Sequence, residues 1–246
     1  MKLYLTIIFT IFFLACNSQS SKDTEIWEPV PKKVYSKSDS APPDDAIVLF
    51  DGTDLSKWKA KWSDKESGWE INDDGSVTVV FDGSGGIETL ENFGSVQLHL
   101  EWKTSEDTSH KNQSRSNSGV FLQGRYEIQI LDSYDNPTYV NGQAGSVYKQ
   151  YIPLVNASRK PGEWQSYDII FEAPEFDSDG NKTKSGYFTV FHNGILIQNH
   201  VEILGTTENV GPPKNIAHGD GPISLQNHCC TQNSFRNISI RTNTPA

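Results

Sequence analysis

NSGVFLQGRYEIQILDSY, residues 117–134, is the stretch whose reading decides the fold. Its two extended runs, 120–123 and 126–131, flank Gly124-Arg125, and a two-residue loop with glycine first predicts a β-hairpin closed by a type II′ turn. Side chains alternate along a strand, so Tyr126, Ile128 and Ile130 point one way while Glu127, Gln129 and Leu131 point the other. An acid and an amide side by side in an otherwise apolar strand need an explanation, because neither packs into a core without a partner. Two readings stand. Either this is the solvated face of an antiparallel pair, or it is the floor of a cleft where a carboxylate and an amide converge on a polar ligand.

Working outward, similar short runs recur between turn signals at 46–50, 69–72, 76–81, 87–90, 95–103, 144–149, 164–173, 187–192, 195–201, 222–228 and 235–241. With the hairpin they make about a dozen strands, and no segment sustains a helical period, so the expected fold is an all-β sandwich or jelly roll. Asn193-Gly194, between two such runs, marks a second hairpin. The run at 94–103 sets Val96, Leu98, Leu100 and Trp102 on one face and Gln97, His99 and Glu101 on the other. A lone histidine on the polar face of such a strand reads as solvated.

The 246 residues, 35% hydrophobic and 21% charged, are enough for one large β domain. A formal charge of −10 argues against a nucleic-acid partner, which calls for a basic surface. The chain starts Met1-Lys2, runs through an apolar stretch at 3–15 and reaches Cys16. That is the layout of a secretory signal, too short for a membrane span. Ala15-Cys16 resembles a bacterial lipobox, with Phe13 where leucine is commonest. This implies a signal peptide over 1–15, acylation of Cys16, and a secreted lipoprotein of the bacterial cell envelope, at the outer membrane or cell surface, that meets the membrane only through its lipid. Residues 17–44 are rich in Ser, Lys, Asp and Pro and poor in apolar groups, the composition of a tether. The expected organisation is therefore lipidated cysteine and tether over 16–45 and a folded domain over 46–246. Adjacent Cys229 and Cys230 close only a strained vicinal disulfide, and no second pair stands at zinc-ligand spacing.

Leu49-Phe50-Asp51-Gly52 with Leu55 and Trp58, Asn117-Ser118-Gly119-Val120, Tyr126-Glu127-Ile128-Gln129-Ile130-Leu131-Asp132 and Gly145-Ser146-Val147-Tyr148 follow one another in order. Pro161-Gly162-Glu163-Trp164, His192-Asn193-Gly194, the run from Gly221 to His228 and Phe235-Arg236-Asn237-Ile238 complete the series. In this order and spacing the chain resembles, over about 47–241, the DUF1080 domains or 3-keto-disaccharide hydrolase family. The resemblance implies a two-sheet jelly-roll sandwich of the concanavalin A-like lectin/glucanase type, with a glycan site on the face that carries Glu127 and Gln129. The chain departs from the family after His228, where Cys229-Cys230 replaces a glycine-rich step.

The implied substrates are 3-keto-glycosides, 3-keto-disaccharides among them. A C3 carbonyl acidifies the C2 hydrogen; its removal gives an enolate that expels the C1 substituent, and water adds to the resulting enone. Such a site needs a base near C2 and a stabiliser for the C3 oxyanion, either hydrogen-bond donors or a metal, rather than a glycosidase's two acids. Ser224, Gln226 and His228 alternate with Ile223 and Leu225 and share a face. If that is the face of Glu127, then Glu127 and His228 are the candidate catalytic pair, or ligands of a divalent metal. Gln129 and Gln226 would orient hydroxyls, and Tyr148, Lys149 and Trp164 would form the rim. An oxidoreductase supplying 3-keto sugars is the implied partner. Two alternatives stay open: a non-catalytic, lectin-like glycan-binding module, and a conventional glycosidase pairing Glu127 with an acid such as Asp132, which alternation puts on the other face barring a bulge.

Overall fold

The structure is a computed structural model and describes residues 20–38, 41–61, 63, 65–81, 83, 85–228 and 230–242. The expected leader, the acylated Cys16 and the step at Cys229 lie outside the described residues. The chain divides into two units, Met1–Lys33 and Val34–Ala246. In the first, Ser20 caps a single 3-10 turn, Ser21–Thr24. In the second, the Tyr35 N–H donates to Asp44 Oδ1 at 3.2 Å and Ser36 bridges Pro43, so the segment before the first strand closes on itself.

The strands are β1 (Ile47–Phe50), β2 (Trp58–Ala60), β3 (Glu70–Ile71), β4 (Val77–Thr78), β5 (Ile87–Thr89), β6 (Val96–Lys103), β7 (Ser118–Leu122) and β8 (Tyr126–Ile130). They continue with β9 (Trp164–Glu172), β10 (Glu175–Phe176), β11 (Lys182–Lys184), β12 (Tyr187–His192), β13 (Ile195–Glu202), β14 (Ser224–Leu225) and β15 (Ser234–Thr242). An eight-stranded sheet runs β13-β12-β9-β6-β15-β4-β3 with β1 on β15, and a five-stranded sheet runs β2-β5-β14-β7-β8. Every pairing is antiparallel. The result is a two-sheet jelly-roll sandwich, as the alternation predicts.

Alternation places the core. Val96, Leu98, Leu100 and Trp102 of β6 and Tyr167, Ile169 and Phe171 of β9 are buried together with Val120, Ile128, Ile130 and Leu225 of the smaller sheet. Each such side chain contributes about 1.5–3 kcal/mol on leaving water. Trp102 packs on Tyr167 with ring centroids 5.2 Å apart, and the Tyr167 hydroxyl donates to the Gln129 carbonyl at 2.8 Å. One core tyrosine thereby fixes β8 against the larger sheet.

Four local expectations change. The central hairpin turns over Gln123-Gly124, both at positive φ (53° and 64°), with Leu122 opposite Tyr126, rather than over Gly124-Arg125. A turn of the I′ kind takes left-handed residues at both central positions, and this register needs it. Residues 144–149 lie along the free edge of β8 but form no strand, because Gly145 (φ 81°) and Lys149 (φ 58°) turn the backbone out of the extended region. The run at 222–228 contracts to the two residues of β14. His99 is not merely solvated: its Nδ1 lies 2.7 Å from Asp168 Oδ1, its cross-strand partner on β9. That hydrogen bond raises its pKa.

Candidate functional site

Register across the five-stranded sheet brings the polar residues together. Lys59 lies opposite Glu88, Glu88 opposite Ser224, Ser224 opposite Phe121 and Phe121 opposite Glu127, so these five side chains share one face. In the adjacent row the Lys61 N–H donates to the Gly86 carbonyl, the Gln226 N–H donates to the Gly119 carbonyl, and Gly119 lies opposite Gln129. Two stretches far apart in sequence, β8 and the residue that follows β14, therefore present Glu127, Gln129 and Gln226 to the same surface.

This surface is outside the core, yet it is not wet. Glu127 is 4% exposed and Gln129 1%. The segment along the edge of β8 covers them: the Gln129 N–H donates to the Ser146 carbonyl at 3.0 Å and the Tyr148 N–H to the Glu127 carbonyl at 3.2 Å. Along the same edge, Thr207 Oγ1 accepts the Glu127 N–H at 2.9 Å. Burial drives the Glu127 pKa up from 4.5 to about 8, with the charges of Lys61 and Lys149 pulling the other way. Gly119 makes room for it, since a Cβ there would stand 2.2 Å from Glu127 Oε1. Gln129 donates to Asn117 Oδ1 at 3.1 Å, which leaves its own Oε1 buried without a partner. Gln226 Oε1, Ser224 Oγ and His228 Nδ1 are likewise buried and unpartnered. Buried polar atoms of this kind are normally bonded, and those of Gln129, Gln226 and Ser224, which find no partner among the described residues, share one face that suits a ligand rich in hydroxyls.

Tyr148 stands at the edge of this surface, its hydroxyl 2.7 Å from that of Tyr139. Burial first, then the Tyr139 hydroxyl and the Glu127 charge, push its phenol pKa upward. Lys149 bonds to Asn209 through the carbonyl and, at 3.0 Å, the side-chain oxygen, and its ammonium lies 5.3 Å from the Tyr148 ring centroid.

Trp164 is elsewhere. It opens β9 on the outer face of the larger sheet, with Arg236 at 4.1 Å and Lys103 at 4.8 Å from its ring. Sequence position places it at the end of a strand but does not say which sheet that strand joins. It lines a cavity of about 1080 Å³ along with His99, Glu101, Asp168 and Arg236, among others. Of the charged groups there, Glu101 pairs with Arg236, Asp168 with His99 and Arg241 with Asp45.

Residues 45–241 match the family described as the 3-keto-alpha-glucoside-1,2-lyase-like domain. The chain belongs to this family. It is 49% identical to a candidate glycosyl hydrolase from Parabacteroides distasonis ATCC 8503, over 91% of this chain and 96% of that one, with a TM-score of 0.86. Two further candidate glycosyl hydrolases from the same organism share the fold. One has 20% identity and a TM-score of 0.58 over 81% of this chain and 94% of its own, the other 22% and 0.56 over 80% and 98%. No curated protein gives a match.

Among the described residues of this lyase-like domain the second acid of a glycosidase pair is hard to find. Asp132 is held by Arg115 Nε at 2.6 Å and accepts the Tyr134 N–H at 3.1 Å. Glu88 lies three strands from Glu127, roughly 14 Å at the usual strand spacing, beyond the carboxyl separation of retaining or inverting pairs. Among the described residues no three His, Cys, Asp or Glu side chains converge, and the charges nearest Glu127 are two lysines.

Sequence reasoning passed over Lys61. It sits in the alternating run Lys57, Lys59, Lys61, which reads as a solvated edge. In the fold its ammonium lies 4.4 Å from the centroid of the Phe121 ring, directly across from Glu127. Burial lowers its pKa while Glu88 and Glu127 oppose the shift. Tyr139 was passed over for the same reason: it precedes a short 3-10 turn, Val140–Gly142, with no motif of its own.

Proposed function

We propose that this domain cleaves 3-keto-α-glucosides by elimination across C1 and C2, with Glu127 as the base. The buried Glu127 carboxyl, with a pKa near 8 and no second acid beside it among the described residues, is the observation that carries this reading. A base is most effective when its pKa lies near the working pH. The Glu127 carboxylate takes the C2 proton and the C2–H electrons move onto the C3 oxygen as an enolate. The enolate collapses, the C1–O bond breaks with its pair on the aglycone oxygen, and the proton held by Glu127 passes to that oxygen. The products are an enone and the free aglycone. Addition of water, hydroxyl to C1 and hydrogen to C2, gives the hydrolysed 3-keto sugar. Gln129, Gln226 and His228, with their unpartnered buried atoms, would hold the sugar hydroxyls and the C3 oxygen, and Tyr148 would border the leaving group. The fold also supports a lectin-like module, and turnover separates the two.

The test is turnover of a 3-keto-α-glucoside against its parent glucoside, with and without chelator. Cleavage of the keto sugar alone, insensitive to chelator, is expected. Glu127→Gln should lower kcat/KM by about 10²–10⁴-fold and His228→Ala by about 10²–10³-fold, each with the fold retained. Cleavage of the parent glucoside, or near-normal turnover by Glu127→Gln, would rule the reading out. From the leader and Cys16 we further propose an envelope lipoprotein that works after an oxidoreductase forming 3-keto sugars. Cys16→Ser should move it from the membrane to the soluble fraction, and unchanged membrane association would count against the anchor.

A further inference from the structure

We infer that Lys61 is a second catalytic residue, whose ammonium holds the C3 oxygen of the substrate as the enolate forms; this rests on the elimination proposed above. The reaction builds negative charge one carbon away from the proton being removed, so the group that receives the charge must sit within a few ångströms of the base. Phe121 links the two groups, and each feels the other's charge. It faces Glu127 directly across the β7–β8 pairing, and the Lys61 ammonium stands 4.4 Å from the centroid of its ring. Lys61 reaches this point from the far side of the sheet, because its N–H bonds to the Gly86 carbonyl in the row that continues through Gln226 and Gly119 to Gln129. Neither Gly86 nor Gly119 has a side chain to block that row. A Cβ on Gly86 would meet the Leu225 carbonyl at 2.4 Å, and one on Gly119 would meet Glu127 at 2.2 Å.

The other nearby cation, Lys149, bonds to Asn209 and lies against Tyr139 and Tyr148 at the rim. Lys61 is half-buried over an aromatic face, where a cation is stabilised but poorly hydrated. An ammonium in such a place is worth more to a developing oxyanion than the same group in water, and it need not reorganise as the charge appears. No proton leaves Lys61 in this step; it donates a hydrogen bond to the enolate oxygen and keeps its charge when the carbonyl re-forms.

A lysine that only tuned Glu127 would have a different signature. Losing its charge would move the rising limb of the pH–rate profile to higher pH, and raising the pH would then restore full activity. The experiment is the pH dependence of kcat/KM on a 3-keto-α-glucoside for the full chain, Lys61→Met and Lys61→Arg. We expect the Lys61→Met limb to move upward and its high-pH plateau to lie about 10²–10³-fold below the parent. Lys61→Arg, which keeps the charge, should lose less than Lys61→Met, and it decides the matter if Lys61→Met does not fold. A Lys61→Met plateau within about threefold of the parent would overturn the assignment while leaving Glu127 as the base. If Lys61→Met does not fold, a parent-like Lys61→Arg supports the charge and a loss as deep as that of Glu127→Gln overturns it. Titration of the Glu127 carboxyl by NMR in Lys61→Met, without substrate, should also shift upward. No shift would contradict the geometry. A parent protein inactive on every 3-keto-glucoside would defeat the elimination reading and this inference with it.

Discussion

On the outer face of the larger sheet, Glu101 accepts from Arg236 at 2.6 and 2.7 Å and from Asn237 at 2.6 Å, and Asp45 accepts from two nitrogens of Arg241 at 2.8 Å each. On the outer face of the smaller sheet, the Glu127 carboxyl meets no hydrogen-bond donor among the described residues, and Gln129, Gln226 and Ser224 each keep a buried polar atom that finds no partner among them. Both faces carry acids at alternating strand positions. The difference is that Glu101 and Asp45 are paired within the protein and partly exposed, while Glu127 is buried and left for something else to satisfy. Pairing of the first kind serves stability, and the lack of it in a dry site is what chemistry requires.

Gly119 offers the hardest blow to this contrast. Its substitution by alanine would drive a Cβ to within 2.2 Å of Glu127 Oε1, so the carboxyl must move. Gly119→Ala should lower kcat/KM about a hundredfold through misplacement and cost about 1–3 kcal/mol of stability through overpacking. Adding Glu127→Ala should restore the stability, measured by denaturant melting, but not the turnover. Unchanged activity in the single variant would mean that the placement of Glu127 is unimportant.

The next effect is one of pH. The folded pKa of Glu127, about 8, lies above its ordinary 4.5, so between these values the folded chain holds a proton that the unfolded chain has lost. Its contribution to stability is therefore full below about pH 4.5, declines as pH rises and is gone above about 8. Glu127→Gln has no such decline. The Tm of the variant relative to the parent should climb from about pH 5 to pH 8 and then level, an effect on the order of a few kcal/mol at the top. A difference that does not vary with pH would show that the carboxyl is not held protonated. The smallest effect should come from the paired face: Glu101→Ala leaves Arg236 and Asn237 without their acceptor and should cost about 1–3 kcal/mol in denaturant melts with kcat/KM unchanged.

Much of this contrast was legible in the sequence, and its limits have physical causes. Alternation in 126–131 and 222–228 put Glu127 beside Gln129 and Gln226 beside His228, and the register of β14 on β7 puts Gln226 on the face of Glu127. Alternation distinguishes two faces of a strand but not a wet face from a covered one. The cover on Glu127 comes from residues near 146–148 and from Thr207, up to 80 positions away. For the same reason His99 read as solvated, because Asp168 stands 69 positions further on. Trp164 misled because a residue type suggests a sugar platform without fixing which sheet carries it. Gly119 did carry a signal, a glycine inside a strand, that marks close approach by another group.

The most direct test of the central claim, that the unpaired buried carboxylate removes the C2 proton, is the isotope effect on kcat/KM for a 3-keto-α-glucoside deuterated at C2. A primary effect is expected in the parent, with loss of the C2 deuterium to solvent, and both should vanish with turnover in Glu127→Gln. Cleavage at equal rates for both isotopologues with the C2 deuterium retained in the product would contradict the account.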